Sequence, residues 1–486
     1  MITVALIAGM VGCGPVQYTV TIASTQGGSV TIPGEGNFTY DEGTAVNLLA
    51  EAHEGYRFVN WNGNVDTIAN VNAASINIIV NGDYFITANF EVVPYVQYSL
   101  TITSTAGGSV TTPGVGTFTY NVGTVVNLVA SATRGYDFVN WTGDVGTITN
   151  VNAAATNITM NDNYSIAANF ALEIWDWNDL DDIRDNLGGT YILMNDLDST
   201  TAGYEDLASP RANEGKGWQP IGTYDDLFTG SFDGQGYEIR DLFINRADES
   251  GVGLFGAVGS GGGIIKDIGV VNVTVTGNSS VGSLVGGSTG TVSNSYSTGS
   301  VTGGEYVGGL IGVNIGTVSN SYSSGNVTGT GGQQSLSVGG LVGVNTGTVS
   351  NSYSSGNVTG TGEQQLSCVG GLVGVNMGGG NYKGTVSNSY SSGNVTGTGE
   401  QQSLYVGGLV GYSTGTVSNS FWDIQTSGQA TSAGGTGKTT AEMQDVATFA
   451  GWSIIAVANP STRTPSYIWN IVDGQTYAFL SWEPVS

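Results

Sequence analysis

Apolar and polar residues alternate in the first third of the chain. Tyr18-Thr19-Val20-Thr21-Ile22 is one such stretch, with the period of two expected of a strand buried on one face. Gly and Asn turns separate the stretches. Residues 18–90 align with 98–170 at an offset of 80 without gaps, and 46 of the 73 positions are identical. Phe58-Val59-Asn60-Trp61-Asn62-Gly63 recurs as Phe138-Val139-Asn140-Trp141-Thr142-Gly143. The pattern predicts two tandem β modules, residues 18–91 and 98–171, each with four to six short antiparallel strands. Trp61 and Trp141 are assigned to the module cores, rather than to ligand platforms, because Trp is buried on average.

A second periodicity fills the middle. Val-Gly-Gly-Leu-Val-Gly strings, with Ser or Ile variants, begin at Val281, Val307, Val338, Val369 and Val406, at spacings of 26, 31, 31 and 37 residues. Each is followed by Gly-Thr-Val-Ser-Asn-Ser-Tyr/Phe, from Gly290, Gly316, Gly347, Gly384 and Gly415. Repeats of 20–50 residues form solenoids or propellers. These units offer two or three strands of four to six residues and no helix. The fold class is therefore all-β: a right-handed parallel β-helix of seven or eight coils, with Val and Leu stacked from coil to coil. Glycine is expected at corners that need positive φ. Strict alternation puts Val318, Asn320 and Tyr322 on one face. That leaves an internal Asn ladder or a bend near Asn320, and the bend is favoured because buried Asn needs all its partners.

Short helices cap the coils. Leu180, Ile183 and Leu187 form an apolar stripe over residues 179–187, and Gly188-Gly189 ends it. Residues 440–450 form a second helix, opened at Thr439 or Thr440 with Glu442 close behind. Strands at Trp469-Asn470-Ile471 and Phe479-Leu480-Ser481-Trp482 finish the chain, as a last cap or as a dock for another molecule. The domains are then 172–250 (first cap and coils), 251–420 (repeat array) and 421–486 (closing cap).

Composition narrows the chemistry. The net charge is −27, from 11 Lys and Arg against 38 Asp and Glu. A nucleic-acid binder needs a basic face, so nucleic acid is excluded as a partner. The single His, His53, rules out any His-x-x-x-His metal pair. Residues 1–12 are an apolar run that reads as a signal-peptide core, too short to span a bilayer. Met10-Val11-Gly12-Cys13 resembles a bacterial lipoprotein processing box, although its first residue is Met and no basic residue precedes it. That resemblance implies lipidation at Cys13, a membrane anchor and a location at a prokaryotic cell surface.

The Gly-Tyr-x-Phe-x-x-Trp-x-Gly pattern of the tandem copies resembles bacterial surface repeats of the internalin B-repeat type, which implies small spacer modules. The Val-Gly-Gly-Leu-Val-Gly strings and their Val-Ser-Asn-Ser-Tyr partners resemble the GLUG-motif family. The likeness extends upstream through Trp218-Gln219-Pro220-Ile221-Gly222 and residues 228–236. It implies a β-helix of the kind found in bacterial and archaeal surface proteins, including haemagglutinin-like adhesins and some immunoglobulin-A metalloproteases. The protease activity does not carry over, because the zinc-binding His pair is missing.

Residues 172–250 hold 18 acidic and five basic side chains, whereas 281–420 hold only Glu305, Glu363, Glu400 and Lys383. No catalytic residue is assigned and no cofactor is required. Asp225, Asp226 and Asp233 are Ca²⁺ candidates within an acidic lead-in that also holds Asp196, Asp198 and Asp241. A solvated acidic surface with Asp in turns is the favoured reading of these residues. Asn326, Asn357 and Asn394 match glycosylation acceptors, and turn chemistry again accounts for them. Gln333-Gln334, Gln364-Gln365 and Gln401-Gln402 recur in register, either as a candidate ligand ladder or as plain solvent-facing loops. The expected function is non-catalytic adhesion to an extracellular glycan or protein, multiplied by avidity. The alternatives are a polysaccharide lyase or hydrolase working from the lead-in, and a purely structural envelope component.

Overall fold

The computed structural model describes residues 14–94, 96–331, 335–362, 367–399 and 404–484. Its contacts divide into two compact units. One runs through Thr103 and includes Thr111–Val129 and Trp141–Ala167; the other comprises Ser104–Val110, Ala130–Asn140 and Ala168–Ser486.

In the first unit, the first module has seven strands, not four to six. Gly36–Asp41, Gln17–Ser24, Tyr84–Val92 and Tyr56–Gly63 form one sheet in that order; Gly28–Ile32, Ala45–Ala52 and Ser75–Ile79 form another. Gln17–Ser24 pairs in parallel with Tyr84–Val92, so the module is not wholly antiparallel. Its first and last strands enter the same sheet running in the same direction, a long-range pairing that local alternation cannot reveal. Val20, Leu48, Trp61 and Ile86 fill the core. In the second copy, residues 116–121 repeat the antiparallel pairing with 97–102.

The second unit is a parallel β-helix, because each short strand pairs with its counterpart one coil away. One side stacks Phe255–Val258, Val285–Ser288, Ile311–Asn314, Val342–Asn345, Val373–Asn376 and Val410–Ser413. A second side stacks eight strands from Thr190–Leu193 to Thr416–Ser418. Residues 172–174 already pair with 191–193, so stacking starts one strand upstream of Tyr191. The third side carries the Tyr-Ser, Asn-Val-Thr-Gly and Ser-Val-Gly segments. Register is exact in the sense that like meets like: Val292, Val318, Val349 and Val386 are successive neighbours, and all four are fully buried. Leu284, Leu310, Leu341, Leu372 and Leu409 make a second internal column, also fully buried. Stacking identical apolar side chains removes each unit's open face from water, which a single unit cannot do.

The corner chemistry differs from expectation. Positive φ at the repeated bend belongs to Asn294, Asn320, Asn351, Asn388 and Asn419, at 44–49°. Asn tolerates this region better than other residues with a Cβ. The bend turns Tyr322 away from the face of Val318, so Asn320 is no internal ladder. Many array glycines instead have ordinary φ and are required by close approach. A Cβ on Gly316 would lie 1.9 Å from the Gly290 carbonyl oxygen, and one on Gly356 would lie 1.9 Å from that of Gly325.

Both predicted helices are shorter than their stripes. The first is Trp177–Asp181, capped by Asp176, and it tightens into a 3₁₀ turn at Asp182–Asn186. Trp177, Leu180 and Ile183 are buried. The second is Thr440–Met443 with a Thr439/Glu442 capping box, followed by a separate 3₁₀ turn, Val446–Phe449, capped by Asp445. Asp445 supplies a new cap and so restarts the helix rather than continuing it.

Candidate functional site

The acidic lead-in does not converge. Asp225 and Asp226 line one cleft with Arg184 and Tyr224, whereas Asp233 lines another. Asp196, Asp198 and Asp241 are each held by donors of the protein itself. Asp196 accepts from the Glu238 amide at 2.9 Å, and Asp241 accepts from Asn272 at 2.7 Å. Asp198 accepts from the Thr200 hydroxyl and amide at 2.7 and 2.8 Å, bonds that hold its carboxyl below the usual range. Among the described residues no group of three or more His, Cys, Asp or Glu could hold a metal. The three Ca²⁺ candidates are thus not brought together.

Asp233 lies in a cleft of about 440 Å³ with Gln235, Asp267, Asn294, Tyr296 and Trp482. Lys266 sits between two of its carboxylates: it pairs with Asp233 and lies 3.1 Å from Asp267. Burial pulls the Lys266 ammonium down, but the two carboxylates outweigh it and hold it above the usual lysine range. The cleft walls are fixed by further bonds. Asp233 accepts from the Gln235 amide at 2.8 Å, Asn294 donates to Asp267 at 2.9 Å, and Asn320 donates to Asn294 at 3.2 Å.

The third side carries a stack of tyrosines. Tyr296, Tyr322, Tyr353 and Tyr390 lie 4.9, 4.8 and 4.9 Å apart between ring centres, at interplanar angles of 12°, 6° and 0°. Their spacing is that of hydrogen-bonded strands, because each ring occupies the same place in consecutive coils. The closing segment lies along this stack: Trp482 meets Tyr296 and Tyr322, and Trp469 meets Tyr353 and Tyr390. Burial pushes the phenols of Tyr353 and Tyr390 well up. Glu483 is partly buried against the stack. Burial raises its carboxyl to about 7, against the opposing pull of the Leu480 amide at 2.6 Å, Tyr353 and Arg463. Tyr322, Tyr353, Tyr390 and Trp469 are buried against the closing segment and are not free for a ligand.

Sequence reasoning missed a buried amide ladder on the first side. Asn314, Asn345 and Asn376 are fully buried; Asn314 donates to Asn345 at 2.7 Å and Asn345 to Asn376 at 2.8 Å. The signal was present in the recurring Val-Gly-Val-Asn, which places an amide at the same point of each coil. Trp61 and Trp141 are 1% exposed, and their indole N–H groups donate to the Ala73 and Ala153 carbonyls at 3.0 and 3.1 Å. Neither is a platform. Cys13, Gln333, Gln334, Gln364, Gln365, Gln401 and Gln402 lie outside the described residues. No helix among the described residues is long and apolar enough to cross a membrane.

Fold and surfaces together define a repeat protein built on a parallel β-helix. Comparison with known proteins gives its parts. Residues 18–94 and 98–174 match the divergent InlB B-repeat domain, and 303–328, 334–359 and 365–396 match the GLUG motif. The chain therefore carries two B-repeats followed by GLUG repeats. It is 30% identical to halomucin of Haloquadratum walsbyi over 202 residues, which is 41% of this chain and 2% of halomucin. It is 37% identical to a Gly-rich membrane protein of Evansella cellulosilytica over 120 residues, 24% of this chain and 13% of that protein. The chain thus spans a small part of the length of these curated relatives. Among solved structures, an IgA1 protease overlaps 63% of this chain and 23% of its own at 19% identity and a TM-score of 0.38, too distant to bear on activity.

Proposed function

We propose that this chain is a prokaryotic cell-surface repeat protein that binds extracellular glycan or protein without catalysis. One observation carries the reading: the coils repeat the same uncharged side chains in register. Thr291, Thr317, Thr348, Thr385 and Thr416 follow one another on the second side, as do Ser293, Ser319, Ser350, Ser387 and Ser418. A ligand that repeats along its own length meets many equivalent weak contacts on such a face, and avidity multiplies them. Likeness to halomucin and to a Gly-rich membrane protein supports the surface location. The Cys13 lipid anchor belongs to the same proposal. Labelled palmitate is expected in the wild-type chain and absent from Cys13→Ser.

The binding reading is tested by electrophoresis of the chain through native gels cast with single polysaccharides. Retardation in one gel supports it and names the ligand class. A cleared zone replaces it with an enzyme. Free migration in all gels, with no retention on isolated cell envelopes, leaves a structural role.

A further inference from the structure

We infer that the cleft lined by Asp233, Gln235, Asp267, Asn294, Tyr296 and Trp482 is a binding pocket for a neutral saccharide. This rests on the surface-binding reading and gives it a ligand class and a place. At about 440 Å³ the cleft falls within the size range of small-ligand sites, and it combines aromatic rings with a few convergent polar groups.

The ligand class follows from charge. Two carboxylates share one ammonium, because Lys266 pairs with both Asp233 and Asp267. The wall therefore keeps a net negative charge and repels sulfated, phosphorylated or carboxylated sugars. A divalent cation is equally disfavoured, since the ammonium already occupies the place between the two carboxylates. What remains on offer is hydrogen bonding. Each carboxylate oxygen of Asp233 and Asp267 accepts one bond from the protein and keeps a further acceptor site. Trp482 also lines the cleft. A polyhydroxylated neutral molecule supplies donors for these acceptor sites and C–H faces for an aromatic ring.

The pocket is preorganised by the same register that builds the fold. At the repeated bend the array uses Asn294, Asn320, Asn351, Asn388 and Asn419, but the preceding coil uses Asp267, also at positive φ (54°). The bend ladder therefore ends in a carboxylate, held by Asn294 and Lys266 at the wall of the cleft. Side chains fixed before binding lose little entropy when a ligand arrives.

The test uses the full chain and two variants. Asp267→Asn installs the residue the array itself uses at this bend, and Trp482→Leu removes the ring from the cleft while keeping an apolar side chain beside Tyr296 and Tyr322. Saturation-transfer NMR is run with methyl α-mannoside, methyl β-glucoside, methyl β-galactoside and N-acetylglucosamine at millimolar concentration. At least one probe is expected to bind the wild type, with at least tenfold weaker binding by both variants and unchanged binding by Asn127→Ala, an exposed residue of the second module. The pocket is overturned if no probe binds, or if both variants bind as the wild type does. The polysaccharide gels separate the two readings. Retardation of wild type and Asp267→Asn alike keeps surface binding and removes the pocket. Probe binding that Asp267→Asn abolishes, with free migration in every gel and no envelope retention, keeps the pocket and removes adhesion.

Discussion

Replacing Asn345 by Ala is expected to open the β-helix locally at a cost of about 3–4 kcal/mol. Asn345 is fully buried, accepts from Asn314 at 2.7 Å and donates to Asn376 at 2.8 Å. Truncation removes both ladder bonds, each worth about 1 kcal/mol net. It also leaves the Asn376 side-chain oxygen without its ladder donor, a further cost of about 1–2 kcal/mol for a buried acceptor. Asn314 suffers less, because its amide also donates to the Thr348 carbonyl at 3.1 Å. Repeat arrays need not unfold in one step, so the readout is hydrogen exchange of the amides in Val342–Asn345 and Val373–Asn376, which reports local opening free energy. The control is Asn351→Gly at the bend. Asn351 has φ of 48°, a conformation glycine adopts without strain, so the change there is expected to stay within about 1 kcal/mol. A shift below about 1 kcal/mol for Asn345→Ala would show that the ladder is carried by the fold and does not stabilise it.

Other perturbations probe the closing segment and the cores. Burial raises the Glu483 carboxyl to about 7 in the folded chain against 4.5 for an ordinary Glu, so between these values the native state holds a proton that the unfolded state has released. Stability should therefore fall as pH rises from about 4.5 to about 7, by at most about 3 kcal/mol; Glu483→Gln should flatten that slope in urea titrations followed at several pH values. Tyr353→Ala removes one ring from the middle of the stack, 8% exposed and touching Trp469. A loss of about 3–5 kcal/mol should appear as earlier proteolytic cleavage beyond residue 438, and unchanged protease resistance would count against the stack as the anchor of this segment. Burial lifts the Cys368 thiol to about 12, so in a Cys13→Ser background a thiol reagent at pH 8 should label the chain only after denaturant is added. Trp61→Ala should cost about 3–5 kcal/mol in the melting of the first module, and a small effect would return Trp61 to the list of candidate ligand platforms.

Repetition made the coils readable. A string such as Val-Gly-Gly-Leu-Val-Gly at near-constant spacing has few ways to bury its apolar side chains, and stacking like on like is the one that uses the period. The Trp residues of the modules were readable for the same reason: a large apolar side chain beside alternating strands belongs in their core. The roles of Gly and Asn were exchanged. Both tolerate positive φ, and only the closeness of the neighbouring coil, with the Gly290 carbonyl 1.9 Å from where a Gly316 Cβ would sit, shows that glycine is needed for space while Asn makes the turn. The acidic lead-in suggested a metal site by composition alone, yet its carboxylates are separated by coil geometry and spent on turns, amides and Lys266.

The sequence by itself determined the two module copies, the β-helix and the coil period, because these follow from local alternation and from repeats in which each unit needs an identical neighbour. Only the tertiary structure decided the parallel pairing of Gln17–Ser24 with Tyr84–Val92, the buried Asn314–Asn345–Asn376 ladder, and the meeting of Trp482 with Tyr296 across 186 residues of chain. Those contacts join positions distant in sequence, and no local pattern specifies which distant surfaces will meet. That choice is made by the packing of the whole unit.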